Sequence, residues 1–203
     1  IVYINLPTQT MIVAIYFLKA LSKLPFGILY GVSGFIAFLL KNVFGYRKAV
    51  ITQNLLLSFP EKSLSEIKQI RNEYYAFMAD LMVETIKLWS LNELDLIHRV
   101  SFKNKEVLEQ KCINQKPTII MMGHSGNWEW ASHVTQLLFK FQIVPVYRRI
   151  KNESFDQFYL ELRSKFGTKP VRDQEAFSAI NAINSLKAVA MLADQTPSAK
   201  KGW

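Results

Sequence analysis

An uncharged, strongly apolar segment near the start of the chain constrains it most. Residues 24–40 read LPFGILYGVSGFIAFLL, seventeen residues without a charge, and a shorter apolar piece occupies residues 11–18. A helix that crosses a bilayer needs about 20 residues, so the length is marginal. Two lysines precede the segment and three cations follow it: Lys19 and Lys23, then Lys41, Arg47 and Lys48. This pattern favours a membrane anchor or interfacial helix, with the rest of the chain in the cytoplasm. A buried helix of a globular core is the alternative.

Composition limits the class of protein and its partners. Half of the 203 residues are hydrophobic, which excludes a disordered chain. The 25 Lys and Arg residues outnumber the 16 Asp and Glu residues, so the net charge of +9 suits an anionic partner such as a membrane surface, nucleic acid or an acidic protein. The single cysteine, Cys112, excludes a disulfide framework and a cysteine-based zinc cluster. We expect an anchoring part with a basic flank at residues 1–48 and a globular domain at residues 49–203.

The periodicity of the globular part changes along the chain. Ser63 and Glu66 form a capping-box pattern before a long amphipathic helix that continues to about Trp89. Within this helix Glu84 is interpreted as a solvated carboxylate, with a functional role as the alternative. Beyond Pro117, predicted strands at residues 118–122, 143–147, 168–171 and 188–192 alternate with predicted helices at residues 128–140, 154–166 and 174–186.

This alternation predicts an α/β fold, with a mixed, mostly parallel sheet flanked by helices after the N-terminal anchor. The run at residues 118–122 is continuously apolar, as expected for a strand that is buried on both faces. Ligands of such sheets bind beyond the carboxyl ends of the strands. The rule points to residues 123–129, 148–156 and 193–198.

The first of these loops carries a candidate general base. His124 follows a strand, and Glu129 lies five residues later near the start of a helix, so a turn can bring the carboxylate to one imidazole nitrogen. The other nitrogen can then accept a proton. Ser125 is excluded as a nucleophile because a nucleophile elbow needs glycine where Asn127 stands. The alternative is a histidine that is satisfied by a local hydrogen bond. No metal site is predicted, because His98 and His133 complete no ligand spacing.

The other two loops add charge near this base. Residues 148–172 carry seven cations and three acids, which suggests contacts with phosphate or an acidic protein, although a solvated surface is the alternative. Asn152 is predicted to cap the following helix. In the third loop Asp194 either caps a helix or lines the site.

Together these residues resemble the bacterial lipid A biosynthesis acyltransferases of the lauroyl and myristoyl type, within the lysophospholipid acyltransferase superfamily. The resemblance covers about residues 20–203. The matching positions are Asn54-Leu55, Phe59-Pro60, Glu84, Gly123-His124-x-Gly126-Asn127-x-Glu129, Tyr147-Arg148, Asn152, Asp156, Arg163, Gly167 and Asp194-Gln195.

The resemblance implies a membrane-bound enzyme that transfers a fatty acyl chain from acyl carrier protein to a hydroxyl of a lipid A precursor. Its place would be the cytoplasmic face of the bacterial inner membrane. His124 and Glu129 would be the catalytic pair, with no acyl-enzyme, no metal and no cofactor. Seven other matching positions would bind substrate or carrier protein: Gly126, Asn127, Arg148, Asn152, Asp156, Arg163 and Asp194.

The family pattern continues beyond Asp194-Gln195 with further strands, whereas this sequence ends at Trp203. We therefore expect a C-terminally truncated member with an exposed sheet edge. Two other functions compete with lipid A acylation. One keeps the chemistry on a lysophospholipid or aminolipid acceptor. The other is a basic, membrane-attached binding module, and nucleic acid is not an expected partner because no nucleic-acid motif is present.

Overall fold

The computed structural model describes residues 8–113, 118–139, 141–182 and 187–194. The chain divides into two compact units, one formed by Lys19–Lys87 and the other by the rest of the chain. The division at residue 48 that was predicted from the sequence stays a prediction. The N-terminal elements are α1 (Thr8–Leu21), α2 (Phe26–Phe38), a π-helical turn (Leu39–Val43), α3 (Lys48–Ser58) and α4 (Leu64–Lys87).

The apolar segment forms a continuous helix, as predicted. Helix α2 and the π-helical turn make an eighteen-residue stretch, Phe26–Val43, with a mean hydropathy of 1.6 and only 11% of it buried. Its length and composition are sufficient for crossing a membrane. Its low burial does not favour the alternative of a buried core helix. Insertion into a membrane stays a prediction.

Helix α4 begins at the predicted capping box. The backbone N–H of Ser63 donates to Glu66 Oε2 at 2.8 Å, and the N–H of Glu66 donates to Ser63 Oγ at 3.3 Å. These reciprocal bonds satisfy donors that would otherwise lack a partner at the helix start. The predicted amphipathic helix is therefore confirmed, with its end at Lys87.

Polar side chains on one face of α4 hold the apolar helix α2. Asp80, Glu84 and Lys87 recur at helical spacing and so share a face. The Tyr30 hydroxyl donates to Glu84 Oε1 at 2.9 Å, and Ser33 Oγ donates to Asp80 Oδ1. The Lys87 ammonium donates to the carbonyls of residues 22 and 24 at 3.0 and 2.9 Å. The Glu84 carboxylate therefore joins two helices, a contact that the sequence did not predict.

The second unit contains the predicted α/β fold. Its four strands form one sheet in the order β1-β4-β2-β3, and each neighbouring pair is parallel. The elements are α5 (Glu93–Ile97), α6 (Lys105–Ile113), β1 (Thr118–Met122), α7 (Trp128–Leu138), β2 (Gln142–Tyr147), α8 (Glu153–Ser164), β3 (Val171–Arg172), a 3-10 turn (Asp173–Glu175), α9 (Ala176–Asn181) and β4 (Lys187–Leu192).

Three sequence predictions need correction. Strand β1 is not buried on both faces, because Ile119 and Met121, which point to the same face, are exposed. Strand β3 is shorter and later than predicted. Helix α9 begins only after a 3-10 turn and ends at Asn181, while residues 183–186 of the predicted helix lie outside the described residues. Short, weakly periodic segments leave such boundaries undetermined by sequence.

The sheet register aligns the carboxyl ends of β1 and β4. Strands β1 and β4 are in register up to the pair Met122↔Leu192. One step further, the Ala193 N–H donates to the Met122 carbonyl at 2.9 Å. The loops that follow these two strands therefore emerge side by side.

One buried histidine makes the stability of this unit sensitive to pH. His133 on α7 is buried, and its Nδ1 has no hydrogen-bond partner among the described residues. Burial disfavours the imidazolium and lowers the pKa of His133 from 6.5 to about 4, although the neighbouring Glu129 carboxylate acts in the opposite direction. The unfolded chain therefore binds this proton at a higher pH than the folded protein does.

We predict that stability falls as the pH drops below 6.5, the value of an exposed histidine. Between pH 7 and pH 5 the loss from this group should be about 2 kcal/mol. Unfolding of the wild type and of His133→Gln at both pH values measures it. The variant should lose less stability than the wild type over this interval. Equal losses would show that His133 does not cause the effect.

Candidate functional site

An imidazole and a carboxylate meet at the carboxyl ends of β1 and β4. His124 and Asp194 each lie two residues past the last paired residues of these strands. His124 Nδ1 is 2.6 Å from Asp194 Oδ1, and the backbone N–H of His124 donates to Asp194 Oδ2 at 2.7 Å. One carboxylate thus holds both the ring and the backbone of His124. With Nδ1 bound to Asp194, Nε2 is the nitrogen that can exchange a proton with a substrate.

This geometry differs from the sequence prediction. Glu129 was expected at the imidazole, and Asp194 was expected among the substrate-binding residues, yet Asp194 is the carboxylate on His124. The sequence placed both residues near strand ends but did not give the strand order. Because β4 is the neighbour of β1, Asp194 lies beside His124. The catalytic role of Glu129 stays a prediction.

The contacts with His124 keep Asp194 ionised. The backbone N–H of His124, followed by its side chain, stabilises the carboxylate and lowers the pKa of Asp194 below its usual value. The side chains of His124 and Asp194 are 31% and 44% exposed, so a substrate can reach them. The ring of Trp128 meets the imidazole edge-on, with 4.9 Å between centroids. Trp128 was not among the predicted site residues, although it lies between Asn127 and Glu129 in the motif that contains His124.

Two glycines in the loop satisfy different requirements. A Cβ on Gly123 would lie 3.2 Å from Asp194 Oδ2, so glycine allows the carboxylate to approach. Gly126 has φ +63°, a left-handed conformation that other residues adopt at a cost, and nothing lies within 4 Å of a Cβ placed there. Both glycines therefore shape the loop, but only Gly123 contacts the His124–Asp194 pair.

Glu129 forms a second, more buried ion pair. Arg163 Nη2 donates to Glu129 Oε1 at 2.6 Å, and Arg163 Nε donates to Oε2 at 3.0 Å. The rings of Tyr147 and Tyr159 lie 5.5 and 5.3 Å from the guanidinium carbon. Burial opposes the charge on Arg163, but the hydrogen bonds that Arg163 donates to Glu129, together with the negative charge of Glu129, outweigh burial and raise the pKa of Arg163. This pair joins the first turn of α7 to α8.

Three of the predicted substrate-binding side chains have structural contacts. Asn127 Oδ1 accepts from the N–H of residue 130, and Asn152 Oδ1 accepts from the N–H of residue 155, both at 3.1 Å. These bonds cap α7 and α8, which confirms the predicted cap at Asn152. The buried Asp156 accepts from the N–H of residue 150 at 2.8 Å. Binding of substrate by these residues stays a prediction.

The predicted arginines are divided between interior and surface. Arg163 is held by Glu129, whereas the side chain of Arg148 is 82% exposed and contacts Asp173 at 3.5 Å. Arg149 pairs with Glu153 at 3.1 Å. Of these three, Arg148 is therefore the most available for a partner. Within the described ranges, no group of three or more His, Cys, Asp or Glu residues is arranged to hold a metal ion.

Comparison with known families decides the assignment. The sequence profile of the bacterial lipid A biosynthesis acyltransferases matches residues 5–203. The chain belongs to this family. A comparison with curated proteins gave no significant match. The lipid A acyltransferase is therefore an enzyme that transfers acyl groups to a lipid acceptor, as the resemblance implied.

The ion pair between Glu129 and Arg163 should stabilise this acyltransferase. Glu129→Gln leaves the buried guanidinium without its charge partner, and we expect a loss of about 3–5 kcal/mol in unfolding free energy. Glu153→Gln is the matched control, because it breaks the exposed pair with Arg149 and should cost about 0–1 kcal/mol. Thermal or denaturant unfolding measures both variants. Equal effects would contradict a structural role for the buried pair.

Proposed function

We propose that the protein transfers a fatty acyl chain from the thioester of acyl carrier protein to a hydroxyl of a lipid A precursor. The enzyme would be bound to the inner membrane, with its catalytic unit on the cytoplasmic side, and would need no metal or cofactor. The observation that carries the proposal is the 2.6 Å contact between His124 Nδ1 and Asp194 Oδ1 at the ends of two parallel strands. It provides an oriented base in a chain that belongs to this acyltransferase family.

In the proposed reaction, Nε2 of His124 takes the proton of the acceptor hydroxyl, and the oxygen attacks the thioester carbonyl carbon. The carbonyl oxygen becomes an oxyanion in a tetrahedral intermediate. Collapse of this intermediate forms the ester and breaks the carbon–sulfur bond, and the imidazolium returns its proton to the leaving thiolate. Asp194 stabilises the imidazolium and fixes the tautomer throughout. The transfer is direct, so Ser125 forms no acyl-enzyme.

Other residues of the site would support this chemistry. The backbone N–H groups of Gly126 and Asn127 would donate to the developing oxyanion, and no atom lies within 4 Å of a Cβ placed at Gly126. Glu129 and Arg163 would act as positioning residues, because their ion pair fixes the start of α7 directly after this loop. Asn152 and Asp156 would shape the loop that presents Arg148.

The proposed donor and the membrane explain two features of the chain, its net positive charge and its apolar helix. Acyl carrier protein is acidic, and the exposed guanidinium of Arg148 offers it a charge-assisted contact. The net charge of +9 favours approach of an anionic carrier and of anionic lipid. The apolar stretch Phe26–Val43 would keep the enzyme at the bilayer, where a lipid acceptor is available.

The test uses membranes from cells that express the full-length gene, an acyl carrier protein thioester and a tetra-acylated lipid A precursor. Mass spectrometry should find a product that is heavier by one acyl chain. His124→Ala and Asp194→Asn should each lower the rate by about 100- to 10,000-fold, whereas Ser125→Ala should retain it. Full activity in His124→Ala would overturn the proposed base. If product forms only with a lysophospholipid, the acceptor is a lysophospholipid rather than a lipid A precursor.

In the same assay, Glu129→Gln distinguishes the role of Glu129 from that of Asp194. If Asp194 orients His124, Asp194→Asn should lower the rate in a protein of normal stability, whereas Glu129→Gln should lose activity together with stability. A stable but inactive Glu129→Gln protein, together with an active Asp194→Asn protein, would restore the original assignment of Glu129 as the partner of the base.

A matched pair of glycine variants tests the carboxylate contact. Gly123→Ala places a methyl group against Asp194 and should lower the rate at least tenfold by displacing the carboxylate, on the order of 1.4 kcal/mol in the barrier. Gly126→Ala meets no neighbouring atom and should cost about 1 kcal/mol of stability through its left-handed backbone. Comparison of rates and melting temperatures distinguishes the two. A larger rate loss in Gly126→Ala than in Gly123→Ala would show that the backbone conformation at Gly126 matters more for the rate than the contact between Gly123 and Asp194.

A further inference from the structure

The first sixty residues carry positive charge without any compensating carboxylate. They include five cations and no Asp or Glu, and the first acidic residue in the chain is Glu61. Any carboxylate that neutralises these cations therefore comes from outside the segment. An anionic surface is the partner that this distribution favours.

Within the unit Lys19–Lys87, an open groove gathers two of the unit's cations. It lies between α3 and α4 and has a volume of about 650 Å³. Its lining includes two cationic, two polar and two small or apolar residues: Lys48, Arg71, Thr52, Gln53, Gly45 and Leu56. Among the described residues, neither Lys48 nor Arg71 forms an ion pair with a carboxylate.

The arginine of the groove is held in place by a neutral group. Arg71 Nη1 donates to Thr52 Oγ1 at 2.7 Å, and this hydroxyl donates to the carbonyl of Lys48, also at 2.7 Å. The guanidinium has five N–H donors, so this bond orients the group without neutralising it. An oriented guanidinium beside an ammonium matches the oxygens of a phosphate group.

The surroundings of the groove indicate where that phosphate comes from. The groove begins at Gly45, two residues after the apolar stretch Phe26–Val43 ends. Gly45 and Arg47 both have left-handed backbones, with φ of 54° and 50°, so the chain turns sharply there. Phe44, which precedes Gly45, and Leu57, which follows Leu56, are strongly exposed. Cations next to exposed apolar side chains are typical of a surface that meets both lipid headgroups and acyl chains.

We propose that this groove binds the phosphate of an anionic glycerophospholipid of the surrounding membrane, a site separate from that of the reacting lipid. Lys48 and Arg71 contact the phosphate, while Leu56 and neighbouring apolar side chains contact the start of the acyl chains. The proposal rests on the membrane association given under the proposed function. It does not depend on the chemistry of His124.

The test is native mass spectrometry of the full-length protein in detergent with added phosphatidylglycerol or phosphatidylcholine. One phosphatidylglycerol molecule should bind at least tenfold more tightly than phosphatidylcholine. The double variant Lys48→Gln with Arg71→Gln should lower phosphatidylglycerol occupancy at least tenfold. Lys68→Gln removes one charge from α4 outside the groove lining and is the matched control, with an expected change below twofold.

Further measurements distinguish the source of the phosphate and the effect of folding. Inorganic phosphate at equal concentration should not displace the lipid, and the KM for the lipid A precursor in detergent should be unchanged in the double variant. Arg71→Lys keeps the positive charge but loses the planar set of guanidinium donors, so its lipid occupancy should be intermediate. If Arg71→Gln unfolds the protein, the single variant Lys48→Gln provides the test instead, and its lipid occupancy should also be lower than that of the wild type. Equal binding of both lipids, a Lys68→Gln loss as large as that of the double variant, or a raised KM would overturn the proposal.

Discussion

The buried ion pair between Glu129 and Arg163 is the interaction on which the α/β unit most depends. It joins α7 to α8, and each group supplies the opposite charge and the hydrogen-bond partners that the other would lose on burial. Two tyrosine rings flank the guanidinium and limit its movement. The loop that contains His124 leads directly into α7, so its end point is fixed by this pair. The ion pair thus fixes the start of α7, which directly follows the loop that carries His124.

In the N-terminal unit, polar side chains of α4 fix the position of the apolar helix α2. An apolar helix such as α2 has few groups that can fix its orientation against a neighbour. Helix α4 provides them through Asp80, Glu84 and Lys87, whose side chains bind hydroxyls and backbone carbonyls. Hydrogen bonds of this kind are directional, so they specify the packing of a helix whose apolar surface alone would permit many arrangements.

Local patterns in the sequence predicted the helices and strands well, but they did not predict contacts between residues that are far apart in the sequence. The capping box at Ser63 and the α/β alternation are properties of short segments, and both were confirmed. The partner of His124 lies seventy residues away, and its identity depends on β4 being the neighbour of β1. No periodicity encodes strand order, so the nearer carboxylate of Glu129 was the natural but different choice. Asn152 was predicted both as a helix cap and as a substrate-binding residue, whereas Asn127 was predicted only as substrate-binding; both cap helices in the structure.

The parallel pairing of β1 with β4 also bears on when the site comes into existence during folding. Strand β4 is the last of the four strands along the chain, and it alone brings Asp194 to His124. Until that strand has inserted between β1 and β2, the imidazole lacks the carboxylate that fixes its tautomer. A nascent chain that ends before β4 therefore lacks the contact between His124 and Asp194. This contact can form only after synthesis has passed residue 194 and β4 has joined the sheet beside β1.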